Sequence, residues 1–363
     1  MKIIIAGGGT GGHLFPGIAI AEEIRNRSPE NRILFIGTER GIEKRVLPDY
    51  GLDLALIDVA GIKGKGWRGA FVALAKMPRS FLQSASIIRS FCPDLVLGVG
   101  GYASGPAVLM AYLMRICTAI TEQNAFPGMT NRILGHFVDR IFLAFPDEED
   151  RFPKHKSLHT GNPIRAAFTN IPQRSPVSGR KFNLLIFGGS QGAHAINKAM
   201  ISALGELAPL KGALRIIHQT GPQDLDRVRE SYHNQGFDAV VYQFITDIPR
   251  FYGEADLLIC RAGATSIAEI TTGGRAAILI PYPYAADDHQ TKNAEVLLHA
   301  GAAKMIAEQK LTGEMLAAAI RDLYANPEKV DLMAARSRML SRPHAARQIV
   351  DACVSLIDKK GTS

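Results

Sequence analysis

The stretch Lys2-Ile3-Ile4-Ile5-Ala6-Gly7-Gly8-Gly9-Thr10-Gly11-Gly12-His13 decides how the rest of the chain is read. Residues 2–6 form a short apolar run with the look of a buried strand. Phe15-Pro16-Gly17-Ile18-Ala19-Ile20-Ala21-Glu22-Glu23-Ile24 follows and reads as a helix. Strand, glycine loop and helix in that order aim backbone N–H groups and a helix N-terminus at a phosphate. Gly7, Gly9 and Gly12 also fit G-x-G-x-x-G, a weak pattern alone because many matches are plain tight turns. A dinucleotide enzyme wants an acid at the end of the second strand, and Glu39 lies near that place. His13 points elsewhere: a titratable imidazole beside such a loop suits proton transfer. The competing role for His13 is a helix cap or a hydrogen-bond donor to phosphate.

Outward from this stretch, strand and helix patterns alternate. Strand-like runs lie at 2–6, 32–37, 52–57, 95–99, 118–121 and 140–144, with helical patterns at 16–25, 42–50, 71–91, 105–115 and 128–134. Continuous apolar strands between helices predict a parallel, doubly wound sheet. Residues 162–180 carry Pro163, Pro172, Pro176 and Gly179 with little periodicity and read as a linker. The pattern then restarts with a strand at 182–187 and a second glycine loop, Gly188-Gly189-Ser190-Gln191-Gly192-Ala193. A helix at 195–207 and strands at 214–219, 239–244, 257–260 and 276–280 follow. The tail, 311–358, is helical and interrupted by Pro327 and Pro343. Two domains are expected, 1–161 and 162–342, with a last helix at 343–361 crossing back onto the first. Ligands of such sheets bind beyond the carboxyl ends of the strands, so loops of both domains are expected to face one cleft.

Composition sets bounds. The 363 residues are 47% hydrophobic and 21% charged, ordinary for a globular protein long enough for two cores. No run approaches about 20 apolar residues, so no spanning helix is expected. The first strand begins at once, so no cleavable leader is expected. Cys92, Cys117, Cys260 and Cys353 are scattered and are expected to be reduced, in a cytosolic protein. The net charge of +8 suggests an anionic partner.

Further loops repeat the first. Gly98-Val99-Gly100-Gly101-Tyr102-Ala103-Ser104-Gly105-Pro106 again joins strand to helix, and its small residues admit a ligand close to the backbone. Three such loops argue for several phosphates or two phosphorylated ligands. Glu122-Gln123-Asn124-Ala125-Phe126-Pro127-Gly128 is a polar rim in which Asn124 suits a sugar hydroxyl or a turn equally. In the second half, Ala262 to Ser266 suits a diphosphate, and Glu269, one turn into the next helix, suits ribose hydroxyls or the helix dipole. The loop 281–290 offers Asp288 and Gln290 to a sugar, or Asp287 and Asp288 as helix caps. The one Asp-x-Asp pattern, Asp224-Leu225-Asp226, reads as charge at the start of an exposed helix, so no metal is expected and helix N-termini must stabilise a departing diphosphate.

The basic charge is concentrated. Residues 61–92 hold Lys63, Lys65, Arg68, Lys76, Arg79 and Arg89 and no acid, interleaved with Trp67, Phe71, Leu74 and Leu82. Cations mixed with an aromatic and aliphatic surface suit an anionic bilayer better than nucleic acid. The membrane role is assigned mainly to 62–82, since part of 71–91 must pack on the sheet.

These loops together resemble the MurG family, the transferases that act on undecaprenyl-pyrophosphoryl-N-acetylmuramoyl-pentapeptide (lipid I). The resemblance runs from Lys2 to the last helix through GGGTGGH (7–13), GGYASGP (100–106), EQN (122–124), GNPIR (161–165), GGSQGA (188–193), CRAGATSIAE (260–269) and DDHQTKNA (287–294). It implies a GT-B fold, two Rossmann-like domains separated by a cleft. It implies inverting transfer of N-acetylglucosamine (GlcNAc) from UDP-GlcNAc to the C4 hydroxyl of the muramoyl sugar, giving lipid II for peptidoglycan, without metal or cofactor. Carried over by motif, Ser190 and Arg165 contact UDP, the Ile245 backbone meets uracil, and Ala264, Thr265 and Glu269 hold diphosphate and ribose. Gln290 and Asn124 hold the GlcNAc. Thr10, Gly11, Gly12 and His13 lie where donor and acceptor meet, and Gly9, Thr10, Gly100, Gly101, Tyr102 and Ser104 take the lipid I pyrophosphate. The stretch 282–286 is variable in the family, so the resemblance carries no role onto Asp288 or His289. Mechanistically, an α-linked donor and a β product require in-line displacement, with His13 as base; an imidazole with its ordinary pKa of about 6.5 suits that work. The same resemblance implies peripheral attachment to the cytoplasmic face of the bacterial inner membrane and contacts with cell-wall and division proteins. The runner-up is a UDP-GlcNAc 2-epimerase of the same architecture, against which the basic, apolar patch counts. An NAD-linked oxidoreductase and a non-catalytic nucleotide-sugar binder stand behind it.

Overall fold

The computed structural model describes residues 1–39, 41–59, 66–172, 179–189 and 192–361, with the side chains of 66–76 and 361 outside that description. The chain divides into two compact units, Met1–Arg165 with Pro343–Ser363, and Ala166–Arg342. The sequence reading sets the division after Gly161; the residues up to Arg165 cluster with the first unit.

The first unit runs β1 (Lys2–Ala6), α1 (Gly11–Arg27), β2 (Arg32–Gly37), α2 (Glu43–Val46), β3 (Asp53–Leu56), α3 (Gly66–Phe91), β4 (Leu95–Gly98), α4 (Ser104–Leu113), β5 (Cys117–Glu122), α5 (Met129–Leu134), β6 (Arg140–Leu143) and β7 (Ser157–His159). Its 7-stranded sheet has the order β3-β2-β1-β4-β5-β6-β7, and every neighbouring pair is parallel. Ile3, Ile4 and Ile5 of β1 are all buried, as a sheet covered on both faces requires. Each such side chain contributes about 1.5–3 kcal/mol by leaving water. Strand order reverses between β1 and β4, and this switch point puts the loops 7–13 and 98–104 side by side.

The second unit runs β8 (Phe182–Phe187), α6 (His194–Leu207), β9 (Leu214–Gln219), α7 (Leu225–Gln235), β10 (Ala239–Tyr242), α8 (Ile248–Glu254), β11 (Leu257–Cys260), α9 (Ala264–Gly273), β12 (Ala276–Leu279), α10 (His289–His299), β13 (Ala303–Met305), α11 (Gly313–Ala325) and α12 (Pro327–Met339). Its 6-stranded sheet, β10-β9-β8-β11-β12-β13, is parallel throughout and reverses between β8 and β11. Arg275, fully buried, ties the incoming segment to this unit: its guanidinium donates to the carbonyls of Tyr252 (2.6 Å), Pro172 (2.8 Å) and Gly253 (3.0 Å).

The last helix, α13 (Ala345–Gly361), belongs to the first unit and lies on α1. Ile349, Val350 and Cys353 are buried among Ile3, Ile20 and Ile24. Arg27 also holds Asp351 (2.7 Å) and the Arg347 carbonyl (3.1 Å). Asp351 is half exposed, so that ion pair is worth at most about 1 kcal/mol. Burial of the two aliphatic side chains contributes several times more and is what holds the helix. Pro343 lies just before α13 and Pro327 at the first position of α12, as proline geometry favours.

Candidate active site

His13 is mounted by three strand ends of the first unit. It is the third residue of α1, which starts at Gly11, ahead of the position its apolar pattern suggests. Thr10 is the N-cap, yet its hydroxyl makes no cap hydrogen bond, so the first-turn amides of Gly11 and Gly12 keep their donor character. The His13 ring lies against Gly100, where an added Cβ would stand 2.6 Å from Nδ1 and where φ is +90°. Only glycine fits there. The same Nδ1 is 3.2 Å from Oε1 of Gln123, which is buried and donates through Nε2 to the Val99 carbonyl (3.0 Å) and Thr121 Oγ1 (2.6 Å).

The first glycine loop is not an open cradle. The Gly7 N–H donates to the Ile36 carbonyl (2.9 Å) and the Gly8 N–H to the Gly100 carbonyl (3.2 Å). The Gly9 N–H donates to the carboxylate of Glu43 (2.9 Å), whose other oxygen accepts from the Thr38 N–H (2.8 Å). Glu43 is fully buried, so an internal carboxylate fills the place where Gly9 was expected to hold pyrophosphate. Sequence reasoning missed Glu43; a lone acid after Arg40-Gly41-Ile42 was the signal. Glu39, the acid a dinucleotide reading would need, is exposed and paired with Lys44. In the neighbouring loop Gly101 and Tyr102 reach solvent. Ser104 is fully buried, with Gly98 beside its hydroxyl, and its Oγ has no hydrogen-bond partner among the described residues.

Glu122 organises the polar rim. Its carboxylate ends β5 and accepts from the N–H groups of Asn124 (3.0 Å) and Gly128 (3.1 Å) and from Asn131 Nδ2 (2.8 Å). Burial pushes its carboxyl up, against those hydrogen bonds, which pull it down. The Asn124 side chain also turns to Glu122 (3.4 Å), the turn-forming role weighed above. Arg165 stacks on Phe15 of α1, with its guanidinium 5.5 Å from the ring centre.

In the second unit Gln219 joins two loops, donating to the Gly189 carbonyl (2.8 Å) and accepting from the buried Ile245 N–H (2.9 Å). Gly192 packs on the next strand end: its φ is +76° and an added Cβ would meet the Thr220 carbonyl at 1.9 Å. Ser190 lies outside the described residues. Ala264 opens α9 behind Gly263, which has no side chain to cap it, so the first-turn N–H groups stay available. Thr265 Oγ1 is buried there with no hydrogen-bond partner among the described residues. Glu269 is buried one turn on. Asn293 of α10 holds the Ala262 carbonyl (3.2 Å), and Arg261 holds those of Ile280 (3.2 Å) and Pro281 (3.3 Å). Gln290 accepts from the Tyr282 N–H (3.0 Å). Asp288 N-caps α10 with φ +53° and accepts from Thr291 Oγ1 (2.7 Å).

Asp224 is not the solvated helix charge its position suggests. It is largely buried and accepts from His194 Nδ1 (2.9 Å) and Asn197 Nδ2 (2.8 Å). Burial pushes its carboxyl up, but Asn197 and His194 outweigh that and hold it below the usual range. Asp226 pairs with Arg229 (3.1 Å). Among the described residues, no three His, Cys, Asp or Glu side chains are gathered as a metal site.

The expected membrane patch is described only in part. Lys63 and Lys65 lie outside the described residues. Trp67, Arg68, Phe71 and Leu74 fall on α3, with their side chains outside the description. Arg79 is exposed, 3.9 Å from Asp58. Beyond that call, the surface of α4 and α5 exposes Tyr112, Leu113, Met129, Ile133 and Phe137. Met129, Ile133 and Phe137 line an open groove of about 670 Å³ together with Arg132, His136 and Arg151. No helix among the described residues is long and apolar enough to cross a membrane.

Comparison with known proteins fits these features. Residues 3–143 match the N-terminal domain of glycosyltransferase family 28, and residues 183–349 match its C-terminal domain. A UDP-N-acetylglucosamine–N-acetylmuramyl-(pentapeptide) pyrophosphoryl-undecaprenol N-acetylglucosamine transferase of Syntrophus aciditrophicus is 58% identical, over 98% of this chain and 99% of its own. The crystal structure of Acinetobacter baumannii MurG superposes with a TM-score of 0.79 at 32% identity, covering 98% of this chain and 99% of that one. A UDP-GlcNAc 2-epimerase of Neisseria meningitidis, bound to UDP-GlcNAc, reaches a TM-score of 0.67 over 98% of this chain and 100% of its own. Its identity is only 13%, so it shares the fold alone. The chain is a glycosyltransferase of family 28 and belongs to the MurG family of undecaprenyl-linked N-acetylglucosamine transferases.

Proposed function

We propose that this enzyme transfers GlcNAc from UDP-GlcNAc to the C4 hydroxyl of the muramoyl sugar of lipid I, with inversion, and that His13 is the base. The observation that carries the reading is the mount of His13, held by Gly100 and Gln123 at the switch point of the first sheet. As the acceptor oxygen bonds to the anomeric carbon, His13 takes its proton and the bond to the diphosphate breaks. The electron pair leaves on UDP. The uncapped first turn of α9, with the Thr265 hydroxyl, suits the departing diphosphate without a metal. Glu269 suits the ribose. The Gln290 carbonyl is committed to Tyr282, which leaves its NH₂ group for the sugar. The family resemblance adds Arg165, Ser190 and Ile245 as donor contacts and Gly101 and Tyr102 as acceptor contacts.

The lipid-linked acceptor requires a bilayer. The apolar surface of α4 and α5, with Arg132 and Arg151 lining its groove, supports peripheral docking on anionic lipid. Incubation with UDP-GlcNAc and a lipid I analogue tests the reading. UDP and a β-linked disaccharide product should accumulate together. Conversion of UDP-GlcNAc to its C2 epimer, or UDP release that ignores the acceptor, contradicts it.

A further inference from the structure

We propose that Gln123 is a positioning residue that fixes the tautomer of His13, so that Nε2 is the nitrogen that takes the acceptor's proton. The inference rests on His13 acting as base. The argument starts at the Val99 carbonyl, which can only accept a hydrogen bond. Gln123 Nε2 lies 3.0 Å from it, so that atom must be the amide nitrogen; a flipped amide would set two carbonyl oxygens against each other. Its second hydrogen goes to Thr121 Oγ1 at 2.6 Å. Gln123 Oε1 therefore faces His13 Nδ1 at 3.2 Å as an acceptor. Nδ1 carries the hydrogen, and in the neutral ring the lone pair sits on Nε2. Gln123 and Thr121 are 1% and 2% exposed, so no water replaces a lost contact. The other tautomer would oppose a ring lone pair to a buried carbonyl oxygen, an arrangement folded proteins avoid.

An amide suits this position better than a carboxylate. A carboxylate would also accept from Nδ1, but its second oxygen would face the Val99 carbonyl, to which it cannot donate, and its charge would favour the imidazolium, which cannot accept a proton. Gln123 orients without adding charge. When Nε2 takes the hydroxyl proton, the Nδ1–H bond to Oε1 persists and steadies the imidazolium until its proton passes to solvent.

The test compares Gln123→Met, which keeps the length and removes the amide, with Gln123→Glu. For Gln123→Met, kcat should fall at least about tenfold and by no more than the roughly 10²–10⁴ that a positioned base supplies, with KM for UDP-GlcNAc unchanged. In a His13→Ala background the same change should add nothing. Gln123→Glu, whose second oxygen would face the Val99 carbonyl, should lower kcat too, but unlike Gln123→Met it should move the acidic limb of kcat upward. Nitrogen-15 spectra of the wild-type protein should show a protonated Nδ1 and a pyridine-type Nε2 for His13, a pattern lost in Gln123→Met. A pyridine-type Nδ1 in the wild type, or an equal loss with and without His13, overturns the proposal. His13→Ala with full turnover removes the base reading itself, an outcome read without touching Gln123.

Discussion

The loop 7–12 in the first unit and the loops 188–193 and 261–265 in the second have like compositions and like places, at the switch points of two parallel sheets. Their N–H groups have different destinations. In the first unit the amides of Gly7, Gly8 and Gly9 are taken by two carbonyls and the Glu43 carboxylate. In the second, the Gly189 and Ala262 carbonyls are held from outside by Gln219 and Asn293, and the first turn of α9, like that of α1, has no side-chain cap. One glycine motif thus serves two ends. Where the amides are consumed, the loop is a rigid mount for a side chain, His13. Where the loop carbonyls are anchored from outside and the helix opens on small residues, its first-turn amides can receive an anion.

Removing the internal carboxylate should have the largest effect. Glu43→Ala removes a fully buried side chain and takes the acceptor from the part-buried N–H groups of Gly9 and Thr38, and we expect a stability loss of about 2 kcal/mol by denaturant unfolding. Turnover should fall with it, while UDP-GlcNAc binding to the second unit stays near wild type at permissive temperature. Unchanged stability would show that the first loop needs no such mount.

A titration of the second unit sharpens the contrast at intermediate size. His218 is buried between Tyr232 OH (2.8 Å) and Asn197 Oδ1 (3.0 Å), and burial pushes it down to about 3. The unfolded chain then binds a proton that the folded one refuses, so stability rises with pH between about 3 and the ordinary histidine value of about 6.5. From about pH 7 to pH 5 the loss should be about 2 kcal/mol, and His218→Gln should flatten that slope. A slope unchanged by His218→Gln would place the titrating group elsewhere.

The smallest expected effect falls on the donor loop. Thr265→Ala should weaken UDP-GlcNAc binding by about 1 kcal/mol in calorimetry and lower kcat a few fold, because the hydroxyl is buried with no hydrogen-bond partner among the described residues and is assigned to the departing diphosphate. A wild-type affinity would remove Thr265 from the donor site.

Much of this architecture is legible in the chain itself. Runs such as Ile3-Ile4-Ile5 and Leu184-Leu185-Ile186 announce buried parallel strands, and the glycine loops after them mark the switch points. Two short strands, β7 and β13, escape because three residues carry no periodicity. The start of α1 escapes because Gly11 and Gly12 lack the apolar spacing on which helix reading depends. His13 is legible as a titratable residue at a phosphate-type loop. Its partners are not: Glu43 and Gln123 reach it or its loop only once distant strands are neighbours. Asp224 misleads in the same way, since its environment is made by His194 and Asn197 from the preceding helix.

His13→Ala tests the division of labour most directly, with donor affinity and turnover measured on one preparation. UDP-GlcNAc should bind as it does to the wild type, and transfer to a lipid I analogue should fall by roughly 10²–10⁴. Retained turnover, or donor affinity lost in step with turnover, would contradict a first loop built to mount the base and a second built to hold the nucleotide.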